Sequence, residues 1–172
     1  MHKFISFVVV LLMLQGCYSI GTTSTHNEEF SWGRSRSKPI YLSFNDTKTR
    51  PFYFLLSHDS KQKDYKLIIH WSNAKRGDVL FNGLSTQLKF LVDHSKIFTL
   101  QPTELPKVVS YNLNSHTHEE EAIFSISEEE MRAITYAKAV SVDLMGRNNT
   151  VIGVFNHRHT FKAFKEFMEQ SY

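Results

Sequence analysis

Apolar and polar residues alternate along much of the chain, a pattern typical of strands with one buried face. The period of two is clearest at 65–71, 87–93 and 140–144. Further short apolar runs include 52–57, 79–81, 107–113 and 122–126, and the polar segment 114–121 is predicted to be a loop. The runs at 52–57 and 65–71, joined by a short polar connection, predict a hairpin. In the run 65–71, Ile68 is apolar in addition to the alternating positions. This predicts a central strand buried on both faces.

The period changes to that of helices after residue 126. Ser127 and Glu130 have the spacing of a capping box, which predicts a short helix from 128 to about 138. A second, amphipathic helix is predicted from about 159 to 168. Its apolar face consists of Phe161, Phe164, Phe167 and Met168.

Strands that dominate a chain, with helices near its end, are typical of the α+β class. We predict about seven to nine strands, mostly in antiparallel sheet, with a short helix and a C-terminal amphipathic helix. Residues 39–172 are assigned to this single domain. Aromatic residues make up 13% of the chain, and their preference for pleated surfaces agrees with a β-rich fold.

The chain begins with a charged start and a short apolar run. Lys3 precedes residues 4–14, of which only Ser6 is polar. At ~1.5 Å per helical residue, this run is too short to cross a ~30 Å hydrocarbon layer. A charged start with a short apolar core is the pattern of a secretory signal, and residues 1–16 are predicted to be a signal peptide.

Leu14-Gln15-Gly16-Cys17 ends this run and contains the only cysteine of the chain. The segment resembles the lipobox of bacterial lipoproteins, in which an apolar, a variable and a small residue precede the cysteine. The resemblance implies transfer of diacylglycerol to the Cys17 thiol, cleavage after Gly16, and usually acylation of the new amino terminus by a fatty acid such as palmitate. By the sorting rule of enteric bacteria, Tyr18 in place of Asp favours the outer membrane.

Residues 17–38 are predicted to form the lipidated N-terminus and a flexible tether, since most are small or polar and show no apolar period. One acyl chain holds a protein only reversibly, whereas two or more hold it stably. The bilayer is therefore the expected partner of acylated Cys17. We expect the domain to face the periplasm from the outer membrane.

Composition excludes several function classes. The formal net charge of +3 is too small to indicate nucleic-acid binding. With Cys17 acylated, no thiol remains for a disulfide or for redox catalysis. The chain contains no glycine-rich phosphate loop, and no cofactor is predicted.

Two His-x-His pairs are the weak candidates for a metal site: His116 with His118, and His157 with His159. Residues i and i+2 of a strand point to one face, so each pair could offer two imidazoles to one metal. A catalytic zinc needs three protein ligands and an open position. Because no recognised zinc motif is present, we assign no metal site. A metal-dependent hydrolase that uses both pairs is kept as an alternative.

Arg76-Gly77-Asp78 is the tripeptide that host-cell integrins recognise, and it lies in a predicted loop. The same residues are also favourable for a turn. A surface adhesin is therefore the second alternative. Because no complete catalytic constellation is present, the leading hypothesis is a non-catalytic binding or assembly module that engages an envelope protein or a ligand.

Overall fold

The computed structural model describes residues 34–44, 52–61, 64–75, 80–114, 116–147 and 150–171. These residues form two antiparallel sheets and two α-helices, the second of which is C-terminal. The predicted α+β fold with mostly antiparallel sheet is confirmed. None of the helices in this described part is long and apolar enough to cross a membrane.

Sheet I contains β1 (Arg34–Arg36), β2 (Ile40–Tyr41), β4 (Phe52–Asp59), β5 (Asp64–Lys75), β8 (Lys107–Asn112) and β9 (Thr117–Ile126). Its order is β1-β4-β5-β9-β8, and β2 also pairs with β4. The predicted hairpin is confirmed, because β4 and β5 pair without a break from Phe52 opposite Trp71 to Asp59 opposite Asp64. The predicted central position of β5 is confirmed, and Ile68, on the face opposite the core, is only 9% exposed. Burial on that face is partial, because the Lys66 side chain is 44% exposed.

Sheet II contains β3 (Ser43–Phe44), β6 (Gln87–Val92), β7 (Lys96–Leu100), β10 (Val140–Met145) and β11 (Thr150–Val154). Its order is β3-β11-β10-β6-β7, and all its pairs are antiparallel. The two sheets are connected on both sides. On one side, β2 and β3 are consecutive stretches of chain that join different sheets. On the other side, the chain leaves β7 and Pro102 forms a bridge with Phe124 of β9.

The helices are α1 (Glu128–Thr135) and α2 (Thr160–Gln170), and a short 3-10 helix spans Gly83–Ser85. The predicted capping box of α1 is confirmed: Ser127 Oγ accepts from the Glu130 amide at 3.2 Å. In return, the Glu130 carboxylate accepts from the Ser127 amide at 3.0 Å. The helix ends at Thr135, about three residues earlier than predicted.

One apolar core lies between the sheets and is completed by the helices. Phe54 of sheet I lies 6.2 Å from Phe90 of sheet II, measured between ring centroids. Phe164 of α2 contacts Phe54 at 6.4 Å and Phe155 at 4.9 Å, so the C-terminal helix packs against both sheets. The other large, fully buried side chains include Phe52, Leu56, Phe81, Leu88, Phe124, Met131 and Ile134.

Several element boundaries differ from the prediction. Among the described residues there are eleven strand segments, of which β1–β3 have only two or three residues. The strand predicted at 79–81 is wrong for Leu80 and Phe81, which lie outside regular structure. The predicted loop at 114–121 is wrong from Thr117 onward, because β9 begins there. The predicted tether at 17–38 overlaps β1, so its last residues belong to the folded domain.

Candidate functional site

Three consecutive glutamates lie in the middle of β9, where successive side chains point to opposite faces of the sheet. Glu119 and Glu121 lie on the outer face of sheet I. Glu120 lies on the inner face and is only 4% exposed. The sequence analysis predicted that all three lie in a polar loop, since glutamate is uncommon in strands.

The outer-face cluster consists of Tyr53, His70, Lys107, Glu119 and Glu121, which come from four neighbouring strands. Tyr53 donates to Glu119 Oε1 at 3.2 Å. Lys107 Nζ lies 3.2 Å from Glu121 Oε1. Register explains this meeting: His70 lies opposite both Tyr53 and Glu121, and Glu121 lies opposite Lys107. The strand order therefore brings together charges that are far apart in sequence.

His70 lies between the two outer carboxylates. Its Nδ1 is 3.6 Å from Glu119 Oε1, and its Nε2 is 2.9 Å from Glu121 Oε2. Both ring nitrogens are buried, yet neither makes an aligned hydrogen bond. A carboxylate thus lies beside each ring nitrogen. The two carboxylates approach different nitrogens of the ring. One ring nitrogen and both carboxylates therefore do not surround a common point.

Two pKa shifts mark this cluster. Burial, together with the charge and hydrogen bond of Glu119, raises the pKa of Tyr53 to about 12. The hydrogen bond and charge of Glu121 raise the pKa of Lys107 above its usual range. Both groups are protonated at neutral pH with their ordinary pKa values, and both shifts extend the protonated form to higher pH. The tyrosine is thus a hydrogen-bond donor and the lysine a cation.

Glu120 binds backbone on the opposite face. Its carboxylate accepts from the amides of Leu80 and Phe81, each at 3.1 Å. His118 Nε2 lies 2.7 Å from Glu120 Oε1, and both side chains are buried. These contacts hold the segment that leads into sheet II against the first half of β9, so the role of Glu120 is structural.

The predicted metal-ligand residues lie in separate surroundings. His118 is occupied by Glu120, whereas His116 is exposed, with a φ of 50°. His157 stacks on Phe161 with ring centroids 5.0 Å apart. His159 lines a cleft of about 400 Å³ between residues 39–43 and α2. In the described part of the chain, no group of three or more His, Cys, Asp or Glu side chains could hold a metal ion.

Two other predicted sites lie outside the described residues. Cys17 and the rest of the lipobox precede residue 34, where the description begins. Arg76-Gly77-Asp78 lies in the undescribed segment 76–79. The lipidation site and the adhesion tripeptide therefore remain predictions from sequence.

An exposed apolar strip follows the free edge of sheet I. We call it the β8 strip. It consists of Leu105 (68% exposed), Val108 (59%), Val109 (40%), Tyr111 (41%) and Leu113 (75%). Among the described strands, β8 is the last of its sheet and pairs only with β9. The sequence predicted this strand, but apolar residues alone do not tell an edge strand from a central one.

No family model, curated protein or solved structure matches this chain. A function must therefore be argued from the geometry and chemistry of individual sites. Of the sites described above, the β8 strip is the strongest candidate for a binding surface, because its apolar side chains are exposed and its strand lies at the edge of the described sheet.

Proposed function

We propose that this chain is a lipid-anchored binding module of a bacterial envelope, held by acylated Cys17, and that it docks on another protein through the β8 strip. The observation that carries the proposal is the apolar free edge of sheet I. Docking is non-catalytic. The expected place of the domain is the periplasmic side of the outer membrane.

The β8 strip carries little of the charge by which proteins protect a sheet edge. An edge strand exposes unpaired amides and carbonyls, and natural edges usually carry charges that discourage pairing. Between 107 and 113, the only charged residue is Lys107. Its ammonium group is already engaged by Glu121 at 3.2 Å. A neighbouring strand could therefore add to β8 through main-chain hydrogen bonds and apolar contacts.

The outer-face cluster supports this role by holding β8 in place. Lys107 of β8 pairs with Glu121 of β9. Ser110 Oγ of β8 donates to Glu119 Oε2 at 3.2 Å. These contacts fix one face of β8, while the side chains of the strip remain exposed. Because each carboxylate of the cluster already has partners, we propose a positioning role for the cluster and no catalytic one.

The anchor is compatible with docking close to the membrane. Sixteen residues lie between Cys17 and Arg34, the first residue of β1. At 3.3–3.6 Å per extended residue, this connection spans at most about 60 Å. A partner in or beside the same membrane is therefore within reach.

Photo-crosslinking in living cells tests the docking proposal. A photoreactive amino acid is placed at Val108, in the strip, or at Ile152, which is similarly exposed (59% and 52%) but lies on β11. We expect a discrete protein adduct from position 108 and none from position 152. Equal labelling at both positions, or no adduct at position 108, would refute docking through β8. Turnover of a substrate by the purified protein would refute the non-catalytic role.

A further inference from the structure

We infer that the partner on β8 is a second copy of this chain, joined to the first edge to edge in antiparallel orientation. The inference rests on the proposed function, which supplies the anchor and the docking strand. The resulting assembly would continue sheet I across a two-fold axis into sheet I of its partner.

Antiparallel pairing allows one strand to serve as its own partner. When two identical strands pair in opposite directions, a two-fold axis relates them, and the same residues contribute from both sides. Each copy then covers the free edge of the other. The closed dimer leaves no unpaired β8 edge, whereas a head-to-tail arrangement would leave one exposed at each end.

The charge pattern of β8 fits self-pairing. No residue from Val108 to Asn114 is charged, so overlap of this segment with its own copy opposes no like charges. Lys107 precedes the segment and is paired with Glu121 at 3.2 Å and Glu104 at 3.8 Å. Like charges directly opposite each other destabilise a strand pair, and this edge avoids them.

Other edges of the two sheets fit self-pairing less well. Strand β1 is three residues long and contains Arg34 and Arg36. Strand β7 begins with Lys96, and Ile97 is its only exposed large hydrophobic residue among those described. Strands β2 and β3 have two residues each. Of the described edges, β8 therefore offers the longest uncharged surface.

Pairing would also cover the apolar side chains of the overlapping segment. Val108, Val109, Tyr111 and Leu113 are 59%, 40%, 41% and 75% exposed. Around an axis between 110 and 113, these residues of one copy lie close to those of the other. Their burial would add to the main-chain hydrogen bonds.

The bulge in β8 limits where the axis can lie. The register with β9 shifts between Val108 and Ser110, and a bulge locally twists an edge strand. From Ser110 to Asn112 the register with β9 is regular. We therefore place the axis of the dimer in the second half of the strand, between 110 and 113.

The anchor favours a second copy over a soluble partner. Copies held in one leaflet by the same lipid and the same length of chain share the same range of heights above the membrane. Confinement raises their effective concentration without any new contact. A dimer axis along the membrane normal lets both N-termini face the bilayer together.

A cysteine scan in intact cells tests the inference. Each residue from 108 to 113 is replaced by cysteine, one at a time, in the full chain. Acylated Cys17 leaves no other thiol, and the envelope is oxidising enough to form disulfides. We expect disulfide-linked homodimers with a peak between 110 and 113. Because a disulfide requires Cα atoms within ~7 Å, the peak yield should exceed that of the control Ile152→Cys by roughly tenfold.

Each outcome of the scan has a distinct meaning. Homodimers that peak in 110–113 support the second copy. No homodimer, or equal yields at Ile152→Cys, refutes it. A β8 cysteine linked to a different protein also refutes it but leaves docking through β8 intact. Dimers of the parent chain would reveal a free Cys17 thiol and would overturn the lipid anchor on which the inference rests.

Charge substitution gives an independent readout. Tyr111→Lys places two cations near each other across the axis, so the homodimer detected by sedimentation of the lipidated protein in detergent should be lost. Ile152→Lys adds the same charge at a similarly exposed site and should leave the homodimer unchanged. Co-expression of Tyr111→Lys with Tyr111→Glu should restore a mixed dimer. A homodimer that survives Tyr111→Lys contradicts the proposed interface.

Discussion

Glu120 shows how much one residue can depend on the rest of the fold. In the sequence it is the second of three glutamates in a polar stretch. In the structure its carboxylate is buried, accepts two backbone amides and lies beside His118. A buried charge is tolerated only when such partners satisfy it. The sequence could not reveal them, since Leu80 and Phe81 lie about forty residues away.

Replacement of Glu120 by Ala should lower the free energy of unfolding by about 3 kcal/mol, because it leaves buried amides and a buried imidazole unsatisfied. Chemical denaturation of the purified protein measures this change. Glu129→Ala is the matched control, since the Glu129 side chain is 87% exposed and lies 3.5 Å from Lys96. A loss below 1 kcal/mol for Glu120→Ala would contradict the structural role of the residue.

The raised pKa of Tyr53 predicts how the stability of the protein changes at alkaline pH. Its pKa of about 12 lies above the ordinary tyrosine value of 10.0, so the folded state holds the proton more tightly than the unfolded chain does. The corresponding stability is fully present below pH 10 and is lost as the pH rises toward 12. Tyrosinate absorbance, compared with that of Tyr53→Phe, isolates this residue from the other tyrosines.

Glu119→Gln should lower the pKa of Tyr53, because it removes the neighbouring negative charge. Burial still acts on the phenol, so the pKa should stay above 10.0. Glu166→Gln in α2 is the control and should change nothing in this titration. If Glu119→Gln leaves the pKa of Tyr53 at about 12, the proposed contact between the two side chains is wrong.

Elements were predicted well where a local pattern determines them. Alternation identified β5, β6 and β10, and a two-residue signal identified the start of α1 at Ser127. Local patterns failed where partners distant in sequence decide the outcome. The outer-face glutamates of β9, for example, have partners on the neighbouring strands: His70, Tyr53 and Lys107. The exposed position of β8 likewise depends on the strand order, which alternation does not specify.

The cap of α1 gives a prediction at the scale of an element. Ser127→Ala removes the side-chain acceptor of the Glu130 amide and should destabilise the protein by ~1 kcal/mol. Ser95→Ala, in the exposed turn between β6 and β7, is the control and should change stability by less than ~0.5 kcal/mol. Thermal unfolding of both variants measures the difference. Equal stabilities would mean that the capping box contributes nothing to the fold.

At the scale of the whole molecule, the two sheets and the C-terminal helix form one core, and no other described strand pairs with the β8 edge of sheet I. Most large apolar residues of the described part are buried. Five of the exposed ones lie between 105 and 113. The sequence predicted the α+β class and much of the core but not the β8 strip. The proposed lipid anchor also acts at this scale, because it would determine where the β8 strip is presented.

The measurement that tests the central claim most directly is mass spectrometry of the N-terminal peptide of the protein extracted from membranes. We predict a mature chain that begins at Cys17, with diacylglycerol on its sulfur and a fatty acid on its amino group. Cys17→Ser should abolish the lipid mass and release the protein from the membrane fraction. A chain that retains residues 1–16, or one with an unmodified Cys17 thiol, would contradict the lipid-anchored module.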